Sequence, residues 1–197
     1  MPNIIYAAQC SFQCDVTALQ RELRTLMNND WVDHINRQCY SGGWDVQPLR
    51  TLQKNALQHP ILQSFALEEQ GNWIDLPVLA TLPKIRRILN WFQCDIEAVR
   101  LMRLKPDAHI QSHQDKGLAM EYGFARFHIP ICAAEQVEFM VNGKLLPMKN
   151  GELWYLNADA THSVRHVGND DRINLVIDCK VNKWLQQQIL SAVIIKN

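Results

Sequence analysis

Phe139-Met140-Val141-Asn142-Gly143-Lys144-Leu145-Leu146 reads as a strand, a two-residue turn and a second strand. A type I′ hairpin turn requires positive φ at both central positions, which Asn and Gly tolerate, so Asn142-Gly143 predicts antiparallel pairing. Outward from that hairpin, short runs bounded by turn-type residues recur: Ala98 to Leu104, Gly123 to Ile131, Gln136 to Val141, Gly151 to Asn157, His162 to Val167 and Arg172 to Asp178. Strands this short at such close intervals predict a closed or sandwiched antiparallel sheet of the jelly-roll kind. The expected fold class is mainly β with covering helices.

The helices lie on either side of this region. Val16, Leu19, Leu23, Leu26 and Met27 follow helical spacing from Asp15 to about Asn29, with Asp15 as N-cap. A second helix is expected from Thr81 to Phe92, with Thr81 capping, Pro83 in the first turn, and Ile85, Ile88, Leu89 and Phe92 on one face. Lys183 to Val193 adds a terminal helix, and Tyr40 to Val46 reads as a Gly-Gly loop leading into a strand. No repeat, linker or block of like charge divides the chain. We therefore expect one domain over 1–197, with mixed helical and strand support in 1–95, the sheet core in 96–182 and a C-terminal helix in 183–197.

Composition narrows the function classes. With 197 residues, 47% hydrophobic and 20% charged, the chain can bury about 70% of its unfolded surface, which excludes disorder as the main state. Lys+Arg and Asp+Glu are 20 each, so no net field draws it to nucleic acid or to an anionic membrane, and neither is an expected partner. Cys10, Cys14, Cys39, Cys94, Cys132 and Cys179 form no C-x-x-C pair and read as reduced thiols. The opening Met-Pro-Asn-Ile-Ile-Tyr has no basic or long apolar targeting segment, so a soluble, cytoplasmic chain is expected.

Ile110-Gln111-Ser112-His113-Gln114-Asp115 places an imidazole and a carboxylate two residues apart, on one face of an extended segment. His162 is the candidate third donor. Two His and one carboxylate leave three cis positions open, the facial arrangement that suits non-haem Fe(II) and its use of O₂. Surface pairs and helix caps also produce H-x-D, so the neighbouring strands matter. In Ala125-Arg126-Phe127-His128-Ile129-Pro130-Ile131 the alternation sets Arg126 and His128 on the face opposite Ala125, Phe127, Ile129 and Ile131. A cation beside an imidazole inside a barrel needs an anion. Arg172 likewise stands opposite Ile173, Leu175 and Ile177, and an inward guanidinium implies a carboxylate from the protein or from a ligand.

These segments, with Arg172 ten residues past His162, resemble the aspartyl/asparaginyl β-hydroxylase family of 2-oxoglutarate oxygenases. The matching motifs are Arg103-Leu104-Lys105-Pro106 through Asp115, Arg126 to Ile131, Gly151-Glu152-Leu153-Trp154, His162-Ser163-Val164 and Arg172 to Asp178, with the Tyr40 to Trp44 loop. The resemblance implies a double-stranded β-helix (jelly roll, cupin-like), Fe(II) as metal, and 2-oxoglutarate converted to succinate and CO₂ while an amino acid, free or in a peptide, is hydroxylated with O₂. It implies that His113, Asp115 and His162 hold iron, that Arg172 meets the cosubstrate's distal carboxylate, and that Arg126 and His128 contact 2-oxoglutarate or the substrate's acidic group. The animal enzyme that names the family lacks the carboxylate ligand, whereas Asp115 is present here, as in the bacterial proline cis-hydroxylases that the sequence also resembles. Without the animal enzyme's helical-repeat domain and membrane anchor, lumenal growth-factor domains are not expected substrates.

Two other functions fit the same residues: a metal- or acid-binding cupin-like module without redox chemistry, and a cupin-type isomerase or dioxygenase independent of 2-oxoglutarate. Tyr40, Trp44 and Trp154 are candidates for the pocket wall, with the core as their alternative place. The remaining polar residues have plainer readings: His109 as a surface or turn histidine, His34 and His59 as structural, His166 and Glu152 as solvated. Asp178 is expected to bond a neighbouring strand, outside the site.

Overall fold

The computed structural model describes residues 4–26, 31–64 and 71–195. In chain order the elements are β1 (Ala7–Gln13), α1 (Val16–Leu26), β2 (Val32–Asp33), β3 (Tyr40–Ser41), β4 (Trp44–Leu52), α2 (Pro60–Gln63), β5 (Trp73–Asp75), α3 (Pro77–Ala80) and α4 (Pro83–Leu89). They continue with β6 (Ile96–Leu104), β7 (His109–His113), β8 (Phe124–Cys132), β9 (Val137–Val141), β10 (Lys144–Leu145), β11 (Glu152–Leu156), β12 (His162–His166), β13 (Arg172–Lys180), α5 (Lys183–Leu190) and β14 (Val193–Ile194). Among the described residues the strands form two antiparallel sheets. The larger runs β14-β1-β11-β8-β13-β6-β4-β2 with β5 on β4, and the smaller runs β10-β9-β12-β7-β3.

The expected hairpin is there: Val141 pairs with Lys144 across Asn142 (φ 47°) and Gly143 (φ 75°). At the opposite edge of the smaller sheet, Gly42 (φ 78°) brings the turn after β3 so close to Ala108 that a side-chain Cβ would sit 2.8 Å from that residue's Cα. Only glycine fits there.

Alternation sorts the side chains into two cores. Phe127, Ile129, Leu175 and Ile177 face outward from the larger sheet onto Leu19, Leu23 and Leu26 of α1 and Ile85, Ile88 and Leu89 of α4. Trp44, Val46, Met102, Ile110, Phe139, Val141, Val164 and Val176 meet between the two sheets. Strand β13, flanked by β8 and β6, is therefore buried on both faces except at Lys180. Its inner face carries Arg172, Asn174 and Asp178 as well as Val176. Such polar groups persist inside only where partners or a ligand meet them.

Asp15 caps α1, its Oδ1 accepting from Ala18 N at 3.0 Å, while Met27 to Asn29 lie outside the described residues. Pro83 opens α4 as expected, but Thr81 does not cap it; its hydroxyl donates to Val78 O, closing α3. The free amides of Lys84 and Ile85 instead donate to the Glu22 carboxylate of α1, at 2.5 and 3.3 Å. The terminal helix ends at Leu190, and Val193 turns back as an edge strand against β1. No helix of the described residues is long and apolar enough to cross a membrane.

Candidate active site

A cavity of about 470 Å³ opens between the sheets, and His113, Asp115 and His162 all line it. His113 closes β7 and pairs directly with His162 at the start of β12, their ring centroids 4.2 Å apart. Two steps along β12, His162 to Val164, match three along β7, His113 to Ile110. That extra residue is a β-bulge, and it decides which way His113 faces. Strict alternation would group His113 with exposed His109; the bulge groups it with buried Ile110. His109 is left on the surface, as expected.

Asp115 lies just past the strand, where its amide donates to Ala158 O at 2.8 Å and the neighbouring Gly117 amide donates to Asp159 Oδ1 at 2.8 Å. One donor atom from each of His113, Asp115 and His162 comes within 4.8 Å of the other two. Both imidazoles are set for this. His113 Nδ1 lies 2.8 Å from Gln111 O and His162 Nδ1 3.0 Å from Ala160 O; a carbonyl only accepts, so each Nδ1 carries the proton and each Nε2 keeps its lone pair. Burial drives the His162 pKa down to about 4, so that ring is neutral at pH 7. Burial alone would raise the Asp115 carboxyl, but the Arg126 guanidinium leads the groups that offset it, and the carboxyl stays ionised, below its ordinary range.

The arginines differ sharply. Arg126 Nε and Nη2 donate to Asp178 Oδ1 and Oδ2 at 2.7 and 3.0 Å, and its Nη1 donates to Asp115 Oδ2. Arg100 Nη1 also donates to Asp178 Oδ2, at 2.8 Å. Asp178 thus bonds its neighbouring strands, as expected, but it also belongs to the cavity wall, contrary to the expectation that it lies outside the site, and the anions that Arg126 needs come from the protein itself. Arg172 has no carboxylate partner among the described residues. Its Nε is buried without a hydrogen-bond partner, and burial lowers its pKa to about 10. Asn174, oriented with its oxygen toward Arg172 Nη2 (3.1 Å) and His128 Nδ1 (2.5 Å), links these two cavity residues. Burial first, then Arg172 and the other cations, keeps His128 neutral.

Several sequence readings are corrected. His34 lines the cavity, stacked on Trp44 with centroids 3.5 Å apart and planes 10° off parallel. Tyr40 meets the edge of Trp44, and Trp154 is core, its Nε1 donating to Glu152, which is therefore not a solvated acid. His166 is buried, bonded to Asp170 O and accepting from the Gly168 amide. His59 caps α2, the structural role expected. Arg100 and Glu97 were not foreseen. A signal existed for Arg100, a lone charge within Ala98-Val99-Arg100-Leu101-Met102, the same interruption that marked Arg126 and Arg172. Glu97 reaches the cavity because β6 bulges, Val99 pairing with Ile177 but Ile96 with Cys179.

The sequence pattern of the aspartyl/asparaginyl β-hydroxylase family matches residues 14–181. The chain belongs to that family. L-Proline cis-4-hydroxylase of Rhizobium meliloti (strain 1021) is 24% identical over 139 residues, covering 70% of this chain and 48% of that enzyme. The chain thus spans about half the length of this curated relative. An oxidoreductase of the 2OG-Fe(II) oxygenase family from Burkholderia pseudomallei superposes with a TM-score of 0.53 at 17% identity, covering 83% of this chain and 79% of that one. The non-haem α-ketoglutarate-dependent epimerase SnoN of nogalamycin biosynthesis gives 0.53 at 12% identity, covering 88% and 77%. These two likenesses establish the fold of the β-hydroxylase family member described here as a double-stranded β-helix.

Proposed function

We propose that this chain is an Fe(II)- and 2-oxoglutarate-dependent dioxygenase that hydroxylates an amino acid, free or within a peptide. The observation that carries the proposal is one cavity holding both a three-donor group and a buried cation that meets no carboxylate among the described residues. Two imidazoles and one carboxylate match the ligand preference of Fe(II) and leave coordination positions open, unlike the closed sphere of a structural metal site. The orphaned Nε of Arg172 is the complementary fit for an anionic cosubstrate.

Bound together, Fe(II) and 2-oxoglutarate supply the O₂ chemistry that attacks an unactivated C–H bond. The chain's own part is placement. His113 and His162 present Nε2 lone pairs fixed by backbone carbonyls, and Asp115 contributes one oxygen while Arg126 retains the other. Arg172 would take the distal carboxylate of 2-oxoglutarate in the planar fork that suits it, steadied by Asn174. Ile110, Phe139, Val141, Val164 and Val176 line the cavity and exclude water from that end. His34, Trp44, Lys116 and Phe124 also line it, and we assign them to the substrate.

The test is succinate release on supply of Fe(II), 2-oxoglutarate and O₂ with a panel of free amino acids and short peptides containing proline, aspartate or asparagine. Succinate coupled to a product 16 Da heavier is expected with at least one panel member. Tight metal retention with no 2-oxoglutarate binding and no succinate overturns the proposal in favour of a non-redox binding module.

A further inference from the structure

Asp178 is almost fully buried, and both of its oxygens are taken by guanidinium groups. Its grip on Arg126 is two-pronged. Nε and Nη2 form one edge of the planar guanidinium, and fixing that edge fixes the plane and the direction of the remaining nitrogen, Nη1. Nη1 points at Oδ2 of Asp115. The other Asp115 oxygen, Oδ1, then faces His113, 3.9 Å from its Nε2. Asp115 sits outside regular strand, so sheet pairing does not set its side-chain torsion. Arg126 does.

We propose that Asp178 is the positioning residue for the metal's carboxylate ligand, acting through Arg126 to turn one Asp115 oxygen toward the two histidines and hold the other away. The inference rests on the proposed metal site and adds to it a residue outside the three-donor group. Arg100 braces Asp178 from the neighbouring strand β6, so the orientation is set by β6, β8 and β13 together rather than by the loop that carries the ligand. The same bonding commits Arg126, which the sequence reading offered to cosubstrate or substrate, to two carboxylates of the protein.

The experiment titrates chelator-stripped protein with Co(II) and follows its visible absorption. Wild type is expected to take up one Co(II), and Asp178→Asn to raise the dissociation constant about 10- to 100-fold, the usual effect of losing a residue that orients a ligand. Arg126→Lys keeps a positive charge beside Asp178 but cannot span both carboxylates, and should weaken binding by a similar factor. In an Asp115→Ala background, titrated over a higher Co(II) range, neither substitution should weaken binding further. A cooperative melt certifies each variant's fold, and if Asp178→Asn does not fold, Arg126→Lys decides. Unchanged affinity in the variants, or an equal loss that persists without Asp115, overturns the positioning role and leaves the metal site standing. Wild type that takes up no Co(II) overturns the metal site itself.

Discussion

Arg126 and Arg172 are the same residue type on inner faces of adjacent strands, yet the first is held by two carboxylates and the second, among the described residues, by none. Their substitutions should therefore diverge. Losing a charge-assisted pair to a buried partner costs about 2 to 5 kcal/mol, so Arg172→Ala should raise the 2-oxoglutarate dissociation constant at least tenfold, about 1.4 kcal/mol. Because the ligand-free protein bears a desolvated guanidinium there, Arg172→Met should raise, not lower, its urea midpoint. An unchanged 2-oxoglutarate affinity would move the cosubstrate's carboxylate elsewhere. Asp178→Asn should do the reverse of Arg172→Met, destabilising the fold by about 3 to 5 kcal/mol in urea, since two buried arginines lose their shared anion. At this scale the sequence disclosed which residues face inward but not which of them already have partners. Strand parity places Arg126, Arg172 and Asp178 on one side; only the β8–β13 register, with Asp178 opposite Arg126, shows that one arginine is spoken for.

Elements place the ligands through irregularities that periodicity does not reveal. An amino-acid string shows alternation, but a bulge is defined against a partner strand, and the β7 bulge is visible only beside β12. The spacing of His113 and Asp115 was legible, whereas the reason His113 faces inward was not. Deleting Ser112 removes the extra residue and leaves His113 two steps from Ile110, so His113 should still pair with His162 and face the cavity without the bulge. We expect Co(II) binding to be retained, with far-UV circular dichroism still reporting the sheets; lost binding would show that facing set by parity is not what the bulge contributes to the site. The cap of α4 is equally non-local. Thr81 was the natural choice from sequence, but Glu22 is separated from Lys84 by more than sixty residues and supplies the acceptor. Glu22→Ala should cost about 1 kcal/mol in urea unfolding, and Thr81→Ala much less at this helix end.

Across the whole molecule, the antiparallel sheets and their covering helices were readable because hairpin and alternation signals are local. The cavity was harder to read, because it collects side chains from strands far apart in the chain, including His34 beside β2. That collection has a consequence for pH. Burial lowers His34 to about 3 and His162 to about 4, and lowers His128 as well, so the folded, metal-free protein keeps three rings neutral under mildly acidic conditions. The unfolded chain protonates the same rings near pH 6.5. Between about pH 6.5 and 4 the unfolded state therefore binds more protons, and stability must fall as pH falls. Below that window Asp115 and Asp178, whose folded pKa values are also depressed, continue the loss in the same direction. For His34 alone the expected change from pH 6.5 to 5.5 is about 1 kcal/mol. His34→Phe preserves an aromatic ring against Trp44 and removes the titration. Urea unfolding with chelator present should then show a difference between the two pH values that is smaller by about 1 kcal/mol in the variant than in wild type. Equal differences would mean that His34 is protonated in the folded protein at these pH values, and that the cavity admits water at its His34–Trp44 end.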